Sequence, residues 1–349
     1  MENQSAGTIG RRRLLSGFAL TSFTTSGPHL TALLPIRGKA PQSYASWPET
    51  GPPFADMHAH PARDREMPSA SSLLGDMDAR GISRTVLSPP PVAGGPDSPG
   101  AYGPADLSAV VRQAPTRLAF SAGGEVLNPM LQHTPASNIP PDRTQHFRAE
   151  AAAIARSGAA AFAELGAEVL PSGAKMQGGH NQQTSQADHP FLLELTVIAA
   201  NFSMPIGLHM EAITSGAENI SALERLLSHN VNARIVWLHA GWDRTGERTV
   251  TLMQTLLQRH LNLFMTIKSD RVGNTANAPL DESSTRLKPE WLTLLRAFPD
   301  RFVIGSDQFY DFRDRERLDM VRRVVNALPP DLAHRIGVEN PPRIYRLTS

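Results

Sequence analysis

The sequence contains no cysteine, so disulfide bonds, thiolate nucleophiles and cysteine-bound zinc are excluded, and histidines and carboxylates are left as metal ligands. It also lacks an excess of charge, because 34 basic and 33 acidic side chains give a net charge of +1. That balance argues against a nucleic-acid or anionic-membrane partner. No apolar run is long enough to span a bilayer, and the sequence has no glycine-rich dinucleotide motif or P-loop. The 349 residues, 40% of them hydrophobic, suit a globular protein with a sizeable core.

The N-terminal segment has the composition of an export signal. Arg11, Arg12 and Arg13 precede Leu14-Leu15 and a weakly apolar stretch that is rich in Gly, Ser and Thr. Consecutive arginines before such a stretch resemble a twin-arginine signal, and a disordered basic tail is the alternative. We therefore expect residues 1–40 to be a signal or tail, recognised by the twin-arginine export machinery, and residues 41–349 to form a single domain. The chain would then be periplasmic or secreted.

Short apolar strands alternate with helical patterns along the rest of the chain. Eight strand–helix units are predicted over roughly 275 residues, with strands at 54–60, 84–88, 117–122, 160–164, 205–209, 234–239, 261–268 and 301–307. Strict alternation favours a parallel sheet, and eight units favour a closed (β/α)8 TIM barrel. A doubly wound open sheet is the alternative, although the nucleotide-binding motifs typical of that fold are absent.

Metal-competent side chains lie at or near the ends of several predicted strands. His58 and His60 are two residues apart, so an extended backbone places both imidazoles on one face, which is half of a divalent-metal site. Taken singly, each of the other candidates could be a core histidine or a helix-capping acid. The carboxyl ends of barrel strands meet at one mouth, however, and their joint placement there predicts a metal centre. The candidate ligands are His58, His60, Glu164, His209, His239 and Asp307.

These motifs resemble the amidohydrolase superfamily, and within it the amidohydrolase-related branch (amidohydrolase family 2) of metal-dependent hydrolases and decarboxylases. Asp56-Met57-His58-Ala59-His60 is similar to the first-strand motif of the family, residues 237–241 to the sixth and Ile304-Gly305-Ser306-Asp307 to the eighth. The segment 339–345 resembles a C-terminal element that packs rather than catalyses. Other members carry a carboxylated lysine at the fourth strand, where this chain has Glu164.

The resemblance and the ligand chemistry together predict a metal-dependent hydrolase. Imidazoles and carboxylates suit zinc, manganese or a similar divalent ion, with one or two ions per chain. Asp307 is the expected general base for attack of water on an ester, lactone, amide or phosphoester. His239 is expected to bind a metal or to polarise the substrate, and Glu164 to bridge two ions if two are bound. Non-oxidative decarboxylation is the second hypothesis, and a non-catalytic binding protein with a vestigial site is the third.

Four further residues are candidate contacts for a small-molecule substrate. Lys268 ends the seventh strand, where it can meet an anionic group, and its alternative is an exposed strand-end lysine. Trp242 and Tyr310 follow strand ends, and His180 lies in a long Gly/Gln-rich segment after the fourth strand. Substrate identity is set by loops that vary freely on this fold, so these patterns do not name it, and they leave open whether the chain forms a homo-oligomer.

Overall fold

The computed structural model describes the chain in eight ranges: 51–62, 66–90, 102–167, 185–210, 217–242, 246–269, 277–310 and 313–347. The chain divides into two units, and the first of them, 1–47, lies outside these ranges. The expected export segment and His180 therefore lie outside the described residues. The second unit, 48–349, contains every element named below. None of the described helices is long and apolar enough to cross a membrane.

The described residues form ten strands that pair in parallel. They are β1 Phe54–His60, β2 Ile82–Leu87, β3 Leu118–Phe120, β4 Ala122–Gly123, β5 Phe162–Gly166, β6 Ile206–His209, β7 Ile235–Ala240, β8 Leu263–Ile267, β9 Phe302–Ile304 and β10 Gln308–Phe309. The pairing order is β3-β2-β1-β9-β8-β7-β6-β5-β4, and β10 pairs with β1. Only Ser121 separates β3 from β4, so the two ends of this order are consecutive in the chain.

The sheet is therefore a nearly closed parallel barrel of the TIM type. β3 and β4 are halves of one chain segment, as are β9 and β10. The ten strands therefore correspond to the eight predicted segments, although β10 lies just beyond the predicted strand 301–307. The open-sheet alternative is wrong, because the strand order returns to its starting segment.

Helices follow most of the strands. Their bounds are α1 Ala70–Asp78, α2 Pro104–Val111, α3 Gly124–Gln132, α4 Pro141–Arg156, α5 Pro190–Asn201, α6 Ala217–His229, α7 Val250–Arg259, α8 Pro289–Ala297, α9 Glu316–Ala327, α10 Pro330–His334 and α11 Asn340–Ile344. A 3-10 turn spans Pro299–Arg301 and a π-helical turn spans Arg335–Glu339. Several helices begin with proline, whose fixed φ and missing N–H suit the first turn. The sequence does not predict α3, which becomes important at the site.

Two apolar clusters pack against the sheet, one on its outer face and one inside the barrel. The larger lies between strands and helices and includes Phe162, Trp237 and Trp291. The smaller joins strands from opposite sides of the sheet, so it fills the barrel interior, and its members are Ala55, Met57, Val86, Ala119, Ala160, Ala161, Val236, Leu238, Val303, Ile344 and Tyr345. Ile344 and Tyr345 come from the C-terminal segment, which packs as expected. Asn340 ties that segment to the start of β9 by donating to the carbonyls of Pro299 and Phe302, each at 2.8 Å.

Candidate metal centre

The two histidines of β1 meet as their spacing predicts. Their ring centroids are 4.9 Å apart and both side chains are buried. His60 Nδ1 lies 2.9 Å from the carbonyl oxygen of Ser88. Because a carbonyl can only accept, Nδ1 carries the proton and Nε2 presents its lone pair to the cluster. Ser88 also approaches the other ring, since its Oγ lies 3.4 Å from His58 Nδ1 and 2.6 Å from the Oγ of Ser121.

Glu164 lies between the two pairs of histidines. Its Oε2 is 3.6 Å from His58 Nε2 and 3.5 Å from His60 Nε2. Its Oε1 is in close hydrogen-bond contact with His209 Nδ1 and is 3.7 Å from His239 Nε2. Burial acts to raise the pKa of Glu164, but the adjacent His209 and His58 hold that pKa well below its ordinary value. The carboxylate is therefore ionised and shared by both pairs.

The backbone on either side of Glu164 is held by α3. Asn128, which is fully buried, donates from Nδ2 to the Glu164 carbonyl at 2.7 Å and accepts at Oδ1 from the Gly166 amide at 2.9 Å. Gly124 lets the helix approach closely, because a Cβ at that position would lie 2.7 Å from the Glu164 carbonyl oxygen. The carboxylate thus stands on a strand that is clamped from outside the metal centre.

His239 reaches the cluster by departing from strand alternation. Its neighbours Val236 and Leu238 lie in the interior cluster, whereas Trp237 and Ala240 lie in the cluster between strands and helices. Regular alternation would turn position 239 toward the helices with Trp237. Instead its backbone is left-handed, with φ of 64°, and the pairing of β7 with β8 shifts register there. The imidazole therefore stands 5.0 Å from the ring of His58 and 5.1 Å from that of His209.

Asp307 completes the cluster from the gap between β9 and β10. Its backbone is also left-handed, with φ of 56°, and its amide donates to the His58 carbonyl at 2.8 Å. Oδ1 faces the histidines, at 2.9 Å from His60 Nε2, 3.7 Å from His58 Nε2 and 3.6 Å from His239 Nε2. One carboxylate oxygen is thus directed at three imidazoles.

The second oxygen of Asp307 is held by two cations. Lys268 Nζ and Arg317 Nη1 each lie 2.7 Å from Oδ2. Burial would raise the pKa of Asp307, but Arg317 and Lys268 hold that pKa well below its ordinary value. Lys268 is buried, so the alternative of an exposed strand-end lysine is wrong. Its ammonium also lies 4.4 Å from the ring centroid of Trp242.

Asp56, which lies two residues before His58, contacts Ser306 and is not part of the histidine cluster. It is buried and accepts from the Ser306 amide at 2.9 Å and from the Ser306 hydroxyl at 2.5 Å. Burial raises the pKa of Asp56 to about 6, although these hydrogen bonds act to lower it. Asp56 therefore fixes the turn that carries Asp307 and does not join the histidines.

The donor atoms fit a divalent ion. Two groups of three have donors within 4.8 Å of one another: His58 with Glu164 and His239, and His58 with His60 and Asp307. Two ligands about 2.0–2.2 Å from one ion, at angles of 90–120°, are separated by roughly 2.9–3.7 Å, which is the spacing observed here. His58 Nε2 and Glu164 Oε2 are buried and make no hydrogen bond within the described residues. Buried polar atoms rarely lack one, and an ion would satisfy both.

The six predicted ligands therefore converge, with one difference among them. His209 belongs to neither group of three, and its Nδ1 makes a hydrogen bond with Oε1 of Glu164.

The residues that the sequence predicts to contact a substrate do not all lie beside the candidate ligands. Trp242 lies at the mouth, with its ring 6.4 Å from that of His239. Tyr310 is buried beneath Arg315, whose guanidinium is 5.7 Å from the ring, and burial raises the pKa of its hydroxyl. For these two, for Lys268 and for His180, contact with a substrate stays a prediction.

The sequence did not single out several residues that contact the candidate ligands. Arg317 stands ten positions after Asp307, in the first turn of α9. A basic residue there is disfavoured by the positive end of the helix dipole, and that is the one signal that could have singled it out. Ser88 and Ser121 carry no comparable signal, because small polar side chains are common after strands. Asn128 carries none because it lies in α3, a helix that the sequence does not predict.

Comparison with known proteins agrees with this architecture. The family model described as amidohydrolase matches residues 55–347. No curated protein matches the chain. Among solved structures, a probable 2-pyrone-4,6-dicarboxylic acid hydrolase from Acinetobacter baumannii with citric acid bound is 13% identical, with a TM-score of 0.50 over 83% of this chain and 98% of that one.

Two more solved structures show the same fold. A 2,6-dihydroxybenzoate decarboxylase, complexed with 2,6-dihydroxybenzoate, is 13% identical, with a TM-score of 0.51 over 84% of this chain and 99% of that one. An amidohydrolase from Burkholderia multivorans with bound zinc is 14% identical, with a TM-score of 0.50 over 85% of this chain and 100% of that one. At such low identity these likenesses establish the fold, while the family model spans nearly the whole barrel. The chain is therefore an enzyme of the amidohydrolase family.

Proposed function

We propose that this enzyme is a metal-dependent hydrolase that acts on an ester, lactone, amide or phosphoester of a small molecule. The observation that supports it most directly is the position of Glu164. Its two oxygens face different histidine pairs, Oε2 toward His58 and His60 and Oε1 toward His209 and His239. A carboxylate shared in this way suits a bridge between two divalent ions, which lie roughly 3.5–4 Å apart in such sites.

The side chains have distinct tasks in this reaction. A bound divalent ion supplies a water of lowered pKa and a Lewis acid for the substrate oxygen. Asp307 Oδ1 faces the same space as the imidazoles and is the atom that accepts the proton of the attacking water. Lys268 and Arg317 occupy the other oxygen, so the base is held in one orientation. The left-handed backbone at His239 brings its imidazole beside those of His58 and His209, where it would bind the metal or polarise the substrate oxygen.

Metal content is the first test of the proposal. We expect freshly purified protein to contain divalent metal, with zinc or manganese most effective in restoring activity after chelation. Activity should be measured on a panel of esters, lactones, amides and phosphoesters. Protein that contains no metal and gains no thermal stability with zinc or manganese would refute the metal-dependent function.

The number of ions is tested by Glu164→Gln. The amide keeps the size of the side chain but binds hard divalent ions poorly and carries no charge. We expect two ions per chain in the wild type, and at most one in the variant together with loss of most hydrolytic activity. Glu125→Gln is a matched control, because Glu125 is also buried but belongs to neither group of candidate ligands. A wild type with one ion that Glu164→Gln binds equally well would exclude Glu164 as a ligand.

Non-oxidative decarboxylation of a small carboxylic acid is the second candidate. The observation that favours it is the pair of cations, Lys268 and Arg317, next to the cluster, since a substrate carboxylate would meet positive charge there. A decarboxylase of this kind would use a single metal ion. Release of carbon dioxide from aromatic or unsaturated carboxylic acids by a one-metal enzyme, without hydrolysis of any ester or lactone, would replace the first proposal with the second.

We also propose that the enzyme is exported through the twin-arginine pathway. That pathway carries folded proteins, so the metal can be bound before the chain crosses the membrane. Replacing Arg11 and Arg12 together with lysine should leave the protein in the cytoplasm, whereas Arg13→Lys, which keeps a pair of arginines, should be exported. Equal recovery of both variants outside the cytoplasm would show that the arginines are an ordinary basic segment and not a twin-arginine motif.

A further inference from the structure

Two arginines at the start of α9 each pair with an aspartate and lie over an aromatic ring, but the residues that they contact differ. Arg315 Nε lies 2.8 Å from Asp76 Oδ2 on α1, and its guanidinium lies 5.7 Å from the ring of Tyr310. Arg317 Nη1 lies 2.7 Å from Asp307 Oδ2, and its guanidinium lies 5.8 Å from the ring of Phe309. The side chains are 18% and 26% exposed. The first arginine therefore joins two helices, while the second is directed at a candidate metal ligand.

Arg317 holds Asp307 in two places at once. Its Nη1 donates to the side-chain oxygen Oδ2 and also to the backbone carbonyl of the same residue. A donor shared by the carbonyl and the carboxylate fixes the side-chain torsions of Asp307 relative to its backbone. With Oδ2 occupied, Oδ1 is the oxygen that faces the histidines.

The same guanidinium stands behind a second ligand. The ring of Phe309 is stacked on the imidazole of His60, with centroids 4.3 Å apart and planes inclined by 25°. The guanidinium of Arg317 packs on the ring of Phe309, which in turn stacks on the imidazole of His60. His60 Nε2 lies only 2.9 Å from Oδ1 of Asp307, so the two candidate ligands beside Arg317 also contact each other.

Two considerations argue that Arg317 contributes more than charge balance or helix stability. A cation in the first turn of a helix is opposed by the helix dipole, so α9 gains little from it. Lys268 already supplies a buried positive charge to Oδ2 at the same distance. What Arg317 adds is the link among the backbone carbonyl, the carboxylate and the ring that supports His60.

We propose that Arg317 is a positioning residue of the metal centre, which holds Asp307 with one oxygen toward the metal and keeps the His60 ring in place through Phe309. The inference rests on the proposed metal-dependent function and concerns the same site. Groups that orient metal ligands typically change metal affinity by about 10- to 100-fold when they are removed.

The test compares Arg317→Met and Arg317→Lys with Arg315→Met. Affinity for zinc is measured by competition with a chelator, the ligand field is followed by the visible spectrum of the cobalt(II) form, and thermal unfolding of metal-free protein is recorded. We expect Arg317→Met to bind zinc about 10- to 100-fold more weakly and to show an altered cobalt spectrum. Arg317→Lys keeps one donor for Oδ2 and should recover part of the affinity. Arg315→Met should lose stability yet bind zinc as the wild type does.

The possible failures are distinguishable. Wild-type affinity and an unchanged cobalt spectrum in Arg317→Met would overturn the positioning role while leaving the metal centre intact. An equal loss of affinity in Arg315→Met would also overturn it, because the effect would then belong to the start of α9 as a whole. A wild-type chain that binds neither zinc nor cobalt would overturn the metal centre itself. If Arg317→Met does not fold, Arg317→Gln and Arg317→Lys give the same comparison.

Discussion

The clamp that Asn128 places on β5 allows a quantitative test of how the centre is held. Asn128→Leu keeps a side chain of similar size but removes two hydrogen bonds, one to the Glu164 carbonyl at 2.7 Å and one from the Gly166 amide at 2.9 Å. Both backbone groups lie in the barrel wall, away from solvent. Leaving a buried polar group without its partner costs about 1–3 kcal/mol, so the pair predicts a loss of about 2–6 kcal/mol in the free energy of unfolding.

A stability loss alone would not show that the clamp serves the metal centre, so a matched variant is needed. Asn340 is equally buried and also makes two hydrogen bonds to the backbone, in its case from Nδ2 to two carbonyls at 2.8 Å, but it lies at the other end of the barrel strands. We expect Asn128→Leu and Asn340→Leu to lower the stability of metal-free protein by comparable amounts. Only Asn128→Leu should also weaken metal binding, because only it frees the strand that carries Glu164.

The assay is denaturant unfolding of metal-free protein combined with metal titration of the folded variants. Wild-type metal affinity in Asn128→Leu would refute the proposed role of the clamp, and so would binding that is weakened as strongly in Asn340→Leu. The first result would mean that Glu164 keeps its position without α3. The second would mean that metal affinity follows global stability and not the local clamp.

Three further outcomes are expected. Asp307→Asn should fold and lower turnover by about 10²-fold or more, because an amide cannot take the proton; wild-type rates would move the base to another residue. Burial raises the pKa of Glu125 from 4.5 to about 7, so the folded state binds more protons than the unfolded state between these pH values. Stability should therefore fall by about 3 kcal/mol as pH rises from 4.5 to 7, and Glu125→Gln should abolish that slope in denaturant unfolding across the range. Chelation of the wild type should abolish activity and lower the melting temperature, and readdition of zinc or manganese should restore both. An unchanged melting temperature after chelation would show that the ion does not stabilise the folded state.

The strands were predictable because each is a short apolar run between turn residues, and their order along the chain determines where they lie in the barrel. The helix α3 was not, because its first turns contain Gly124 and Pro129, which favour loops in a single sequence. Pro129 is tolerated inside this helix, while Gly124 is required by close approach to β5. The glycine that allows α3 to pack against β5 is therefore also a reason why the sequence does not predict this helix.

The convergence of the six candidate ligands was predictable from the sequence, but the way in which two of them reach the cluster was not. His58 and His60 followed from their spacing. His239 lies on the wrong side of β7 by simple alternation, and only a left-handed backbone brings it inward. Arg317 comes from a later helix, and no local pattern links it to Asp307.

The left-handed backbone at His239 and Asp307 has a consequence for the evolution of this barrel. Such a conformation disfavours any side chain with a Cβ, by on the order of 1 kcal/mol at each position, although Asp and His tolerate it better than most residues. Glycine at position 239 would relax the backbone and remove a buried polar side chain at the same time. Glycine at position 307 would also relax the backbone, but it would leave the buried Lys268 ammonium without its carboxylate, which costs more than the strain it relieves. Selection for heat resistance alone should therefore drive position 239 toward glycine, while the ion pairs of Asp307 retain the carboxylate. Persistence of His239 across a lineage would then record selection for catalysis against a steady pull toward stability.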